Sequence, residues 1–306
     1  MSANVETMFY VRETPWHGLG TRVEEAPTSA DALRLAGLDW TVEGKPIYDG
    51  EGRIIAGYTA NTRSSDGAVL GVVGNRYTVV QNTDAFEFTD SLVGNGEVKY
   101  ECAGSLRGGR QIWLLAKMPT EKILDDAVDP YLCFTNTHDG SGAIRVCMTP
   151  VRVVCNNTLN LALKTASRSW SARHTGSIQS KLAEARNTLQ LANLYMSALV
   201  DEAERLVDQV ISEAEIEAIF DKIYKQEEQN QRQETRFNAM KADFFTRYDA
   251  PDVKPYKGTK YGALMAVTDF ADHREPARRT KNYSENQFAR IIGGHSEVDQ
   301  FYGILA

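Results

Sequence analysis

The spacing of apolar residues divides the chain into two parts. From Ile178 onward, Ile178, Leu182, Ala185, Leu189, Ala192, Tyr195, Met196, Leu199, Ala203, Leu206 and Val210 recur at steps of three and four. That period puts them on one stripe of a long amphipathic helix. Ser212, with Glu215 three residues on, resembles a capping box and predicts a break there. A second helix is predicted to run to about Phe245, with Pro251 and Pro255 ending it. Residues 261–270 resume a helical pattern.

Before Gly176 the pattern is that of strands. Runs rich in β-branched and aromatic residues fall at 40–42, 45–48, 54–59, 69–80, 99–103, 111–118, 131–136 and 143–155. Turn signals separate them: Asp49-Gly50, Asp66-Gly67, Gly74-Asn75, Arg107-Gly108-Gly109-Arg110 and Asp139-Gly140. Short helices are predicted at 30–38, capped by Ser29, from Asn82 or Thr83 through Leu92, and from Asn156 to Ala166. Strands joined by short turns pair antiparallel. The fold class is therefore α+β, an antiparallel sheet of hairpins with flanking helices, followed by a mainly helical C-terminal region. The expected division is a β-rich α+β domain at 1–175 with a hairpin–hairpin–helix core, long amphipathic helices at 176–250, and a helical tail at 251–306.

Composition narrows the function classes. In 306 residues, 42% are hydrophobic and 25% charged, enough for a sizeable core without disulfides or metals. No apolar run is long enough to span a bilayer, so no membrane partner is expected. The start, MSANVETMFYVRE, is acidic and lacks an apolar h-region, so no secretory signal is expected. Cys102, Cys133, Cys147 and Cys155 show neither C-x-x-C nor zinc-ligand spacing and read as buried reduced thiols. There is no phosphate loop, dinucleotide fingerprint, H-E-x-x-H or EF-hand, so no cofactor and no metal is expected.

Charge is unevenly placed. The net charge is −7, yet between Gly140 and Gln190 seven bases (Arg145, Arg152, Lys164, Arg168, Arg173, Lys181, Arg186) face one acid, Glu184. Residues 201–234 carry eleven acids against four bases. A basic centre beside an acidic arm suggests a polyanionic partner, or packing of one segment on the other.

The candidate phosphate contacts are Arg107, Arg110, Arg145 and Arg152, on or beside the two predicted hairpins. If pairing is regular, Arg145 shares a strand face with Cys147 and Thr149, and Ile144, Val146 and Met148 share the other; Pro150 is placed to break that register before Arg152. Lys164, Arg168 and Arg173 extend the basic run. Trp170, flanked by bases, reads either as a stacking indole or as a core residue docking the linker. Asn156 and Asn157 cap the following helix and sit where a phosphate could bind. His138 and Asp139 form the most enzyme-like cluster, although adjacent turn residues seldom build a catalytic arrangement. His17, beside Trp16, is a weaker candidate of the same kind.

Three stretches carry a resemblance: PWHGLG (15–20), FTNTHDGSGAIRVCMTPVRVVCNNTLNLAL (134–163) and GALMAVTDFADH (262–273). Together they resemble the phage/plasmid-like protein family, domain of unknown function 932. That family has no settled activity to carry over; the resemblance implies a mobile-element protein in the cytoplasm of a bacterial host. The helix–hairpin–hairpin–helix order of 83–166 also resembles the core of phage single-strand annealing proteins, which form rings around a basic groove. This implies a protein of DNA metabolism that binds single-stranded DNA and anneals it as a homo-oligomer, possibly a ring. The alternatives are a hydrolase-like enzyme using the His138–Asp139 region and a helical scaffold or host-interaction protein.

Overall fold

The computed structural model describes residues 5–12, 20–25, 27–93, 99–152, 169–225, 230–274 and 296–306. The elements in order are β1 (Val5–Val11), β2 (Thr21–Val23), α1 (Ser29–Leu35), β3 (Val42–Tyr48), β4 (Ile54–Arg63), β5 (Val69–Gly74), α2 (Asn82–Val93), β6 (Lys99–Leu106), β7 (Gln111–Lys117), β8 (Glu121–Ile123), β9 (Asp126–Thr137), β10 (Ile144–Arg152) and β11 (Ser169–Ala172). Then come α3 (Ile178–Val207), α4 (Glu213–Tyr224), α5 (Gln231–Tyr248), a 3-10 turn (Lys254–Tyr256), α6 (Lys260–His273) and α7 (Ser296–Leu305). The fold is α+β.

Eight strands make the main sheet in the order β11-β10-β9-β7-β6-β1-β2, with β8 pairing to β9. Its pairings are antiparallel except β1 with β2, which are parallel at the edge. β3, β4 and β5 form a separate antiparallel sheet. Both predicted hairpins of the main sheet are present, across the 107–110 and 138–143 turns. The short β8 escaped the strand pattern.

Pro150 does not break the register. It lies directly opposite Pro130, and pairing continues to Arg152 opposite Val128. The two missing N–H donors coincide at one pair, so the ladder resumes on either side. Arg145 and Arg152 are thus an odd number of residues apart on a continuous strand and have opposite parity in the pleat.

Alternation along the strands sets the core. Ile112, Leu114, Phe134, Ile144 and Val146 are buried against α2, whose Phe88 meets Phe134 at 5.9 Å between ring centroids. Cys133 and Cys147, directly paired, are buried on the other face beside Leu115. Burying each large side chain stabilises the fold by about 1.5–3 kcal/mol.

A second core lies among the helices. Ile216, Phe220, Phe237, Phe244, Phe270 and Phe301 pack there, and Ile123, Val128 and Met148 of the main sheet join them. α3 serves both cores: Ile178 and Ala185 face the sheet, while Tyr195, Leu199 and Leu206 enter the helical cluster. The capping box at Ser212 is formed, with Glu215 N–H donating to Ser212 Oγ and the Glu215 carboxylate accepting from Ser212 N–H. The single helix expected after it is instead two. Asn230 caps α5 through a second capping box with Gln233.

The two ends of β9 differ in company. Val128, near its start, belongs to the helical core. The small sheet meets its finish: an added Cβ on Gly71 would lie 2.5 Å from Asp139 Cα, so β5 approaches the β9–β10 turn more closely than any side chain permits. Arg63 of β4 ties the small sheet to β1, donating to Glu6 at 2.8 and 2.9 Å and to Asp66 at 2.7 Å.

Candidate nucleic-acid interface

The register places three connections at one end of the main sheet. Leu106 pairs with Gln111, Gln111 with Thr137, and Ile144 with Ala172, so the β6–β7 turn, the β9–β10 turn and the β11–α3 link lie together. Across this end runs the extended segment 77–81, held by buried polar side chains. Thr78 N–H donates to His174 O, and His174 Nδ1 donates back to Thr78 O at 3.1 Å. Asn136 Nδ2 donates to Val80 O at 3.1 Å. Tyr77 Oη donates to Thr137 O at 2.5 Å and its ring stacks on His174, centroids 4.5 Å apart.

His138 closes this clamp. Asn82 commits its amide N–H groups to Leu38 O and Trp40 O, so its Oδ1 accepts from His138 Nε2 at 3.0 Å. His138 is fully buried, and burial, followed by the nearby His174, pushes its pKa down to about 3. Burial also lowers His174, partly offset by its bond to Thr78. Both rings are therefore neutral near pH 7. The Asp139 carboxylate accepts from Ser141 N–H at 2.9 Å and makes no bond to His138. The His138–Asp139 pair is thus no acid–base dyad: the histidine is walled in as a neutral ring and the aspartate shapes a turn.

Above the clamp opens a cleft of about 700 Å³. Its walls are Gly57 and Tyr58 of β4, Gly74 at the end of β5 with residues 75–77 after it, residues 140–143 of the β9–β10 turn, Arg145 of β10, and residues 173–175 after β11. Gly140 keeps the turn low there; it takes a φ of +77°, and an added Cβ would meet Val73 Cγ1 at 3.2 Å. Arg76, Arg145 and Arg173 line the cleft; among the described residues no carboxylate is in its lining, and the Asp139 carboxylate lies near enough to act on Tyr77 and His174. Arg145 and Arg173 are exposed, and among the described residues none of the three arginines has an ion pair.

The acidic helices do not cancel this charge. They belong to the core at the start of β9, and nine residue steps from Val128 to Thr137 span roughly 30 Å. The Debye length at physiological salt is about 8 Å, so the two charge sets are screened from each other.

Of the sequence-predicted contacts, Arg145 and Arg173 meet in the cleft. Arg107 and Arg110 are exposed on the β6–β7 turn at the same end but do not line it. Asn156, Asn157, Lys164, Arg168, His17 and the side chain of Arg152 lie outside the described residues. Trp170 is corrected: it is buried in the sheet core, its Nε1 reaching Glu184 Oε1 at 3.4 Å, so its ring cannot stack on a base. Flanking bases pointed outward, but the even-numbered positions of β11 face the core. Arg76 and Tyr58 were missed. The Gly74-Asn75 turn with a base directly after it was the available signal for Arg76.

A family model described as Domain of unknown function (DUF932) matches residues 69–291. No curated protein and no solved structure matches the chain.

Proposed function

The chain belongs to the family described as Domain of unknown function (DUF932), which assigns no activity, and we propose that it binds single-stranded nucleic acid and anneals it as a homo-oligomer of mobile-element DNA metabolism. The observation that carries this reading is the cleft in which Arg76, Arg145 and Arg173 converge with no carboxylate in its lining among the described residues. Arginine's planar fork suits phosphate oxygens, and three guanidinium groups in one concavity, without an ion pair among the described residues, attract a polyanion. The annealing and assembly parts of the proposal rest on the element order shared with single-strand annealing proteins, an argument by analogy.

Fluorescence anisotropy with a labelled single-stranded oligonucleotide tests the binding. Three phosphate contacts release counterions with a slope of about −2 in log affinity against log salt. Affinity is expected to fall about 20-fold between 50 and 200 mM salt. Salt-independent binding, or none at 50 mM, refutes the proposal. Scattering coupled to size-exclusion chromatography, with and without the oligonucleotide, tests the assembly.

A further inference from the structure

The small sheet presents one face to the main sheet and the other to solvent. Asn61, Gly71 and Val73 face inward, where Asn61 Nδ2 donates to His138 O at 2.8 Å. The register puts Lys45, Tyr58, Ala60 and Val72 on the outer face, where Ala60 is buried and Tyr58 and Val72 are exposed. Tyr58 is 55% exposed and Val72 53%.

An aromatic residue on a sheet is ordinarily covered by its cross-strand neighbours. Tyr58 has none. Its partner on β5 is Gly74, which carries no side chain. Toward β3 the register jumps between the Pro46 and Tyr48 pairs, leaving Tyr58 without an opposite residue. The ring therefore stands open to solvent at the rim of the cleft, beside Gly57. We propose that Tyr58 is a stacking platform for an unpaired nucleobase of the strand whose phosphates Arg76, Arg145 and Arg173 hold. This rests on the proposed binding of single-stranded nucleic acid and names what the site reads: the flat face of a base. Charge in a groove combined with an exposed aromatic ring is the general arrangement for holding single strands without sequence preference.

The test compares the wild type, Tyr58→Ala, Tyr58→Phe and Arg145→Glu on two oligonucleotides of equal length, one normal and one abasic. The wild type is expected to bind the normal strand about 5- to 150-fold more tightly than the abasic one. Tyr58→Ala should erase that margin while leaving abasic affinity unchanged, and Tyr58→Phe should retain it. Arg145→Glu should weaken both strands alike. If Tyr58→Ala binds both strands as the wild type does while Arg145→Glu weakens them, stacking is overturned and phosphate binding stands. If Tyr58→Ala changes the oligomeric state without changing the base-dependent margin, the face belongs to a second copy and stacking is again overturned. If the wild type binds neither strand, both readings fall.

Discussion

Acidification should weaken the fold through His138 in a way that can be calculated. The ring is fully buried, donates to Asn82, and has its pKa pushed down to about 3. In the unfolded chain it titrates near 6.5. Between these values the unfolded state binds a proton the folded state refuses, so stability rises with pH and is lost as pH falls. The slope is about 1.4 kcal/mol per pH unit, which gives roughly 2 kcal/mol between pH 7 and pH 5 and about 4 kcal/mol by pH 3. Other groups also respond over this range. His174 acts in the same direction, and His273, raised by its bond to Asp269, acts in the opposite one. A difference measurement isolates the term. Urea denaturation of wild type and His138→Gln at pH 7, 6 and 5 should show the wild type's advantage shrinking by about 2 kcal/mol across that window. An advantage that stays constant with pH would mean that His138 is solvated or already charged, and the buried clamp would be refuted.

Three further outcomes follow from packing. Gly71→Ala should lower the melting temperature, because the added methyl meets the Asp139 backbone at 2.5 Å; overpacking of this kind costs about 1–3 kcal/mol. Trp170→Phe should lower stability and leave oligonucleotide affinity unchanged, since the indole is in the core; a selective loss of binding would restore the exposed reading. Ser212→Ala should cost about 0.5–2 kcal/mol in thermal or urea unfolding by removing the cap of α4.

Local features of the fold were legible in the sequence. The Ser212–Glu215 spacing marked a real helix start, and the Arg107–Arg110 and Asp139-Gly140 turns marked real hairpins. Each depends on residues within a few positions of one another. The parity of Ile144, Val146 and Met148 was correct for the same reason. The break before α5 went unread although residues 225–236, KQEEQNQRQETR, carry no apolar side chain and Asn230 with Gln233 has capping-box spacing. The parallel β1–β2 pair left no periodic signature in so short a strand.

The site was half legible. Basic density pointed to Arg145 and Arg173, but the cleft joins segments near 58, 76, 145 and 173, which only tertiary packing brings together. That packing turns on Gly71, which lets β5 press against the turn at Asp139. Of Asn82, Asn136, His138 and His174, only His138 looked chemical in the sequence. In the fold their hydrogen bonds fix residues 77–82 and so set the floor beneath the arginines.

The most direct measurement is an anisotropy titration of one labelled single-stranded oligonucleotide, at low salt, against the wild type and a variant carrying Arg76→Glu, Arg145→Glu and Arg173→Glu. All three side chains lie in the open cleft without ion partners among the described residues, so the variant should unfold at the same denaturant concentration as the wild type. The account predicts saturable binding by the wild type and none by the folded variant. Equal binding by both, or no binding by either, would contradict it.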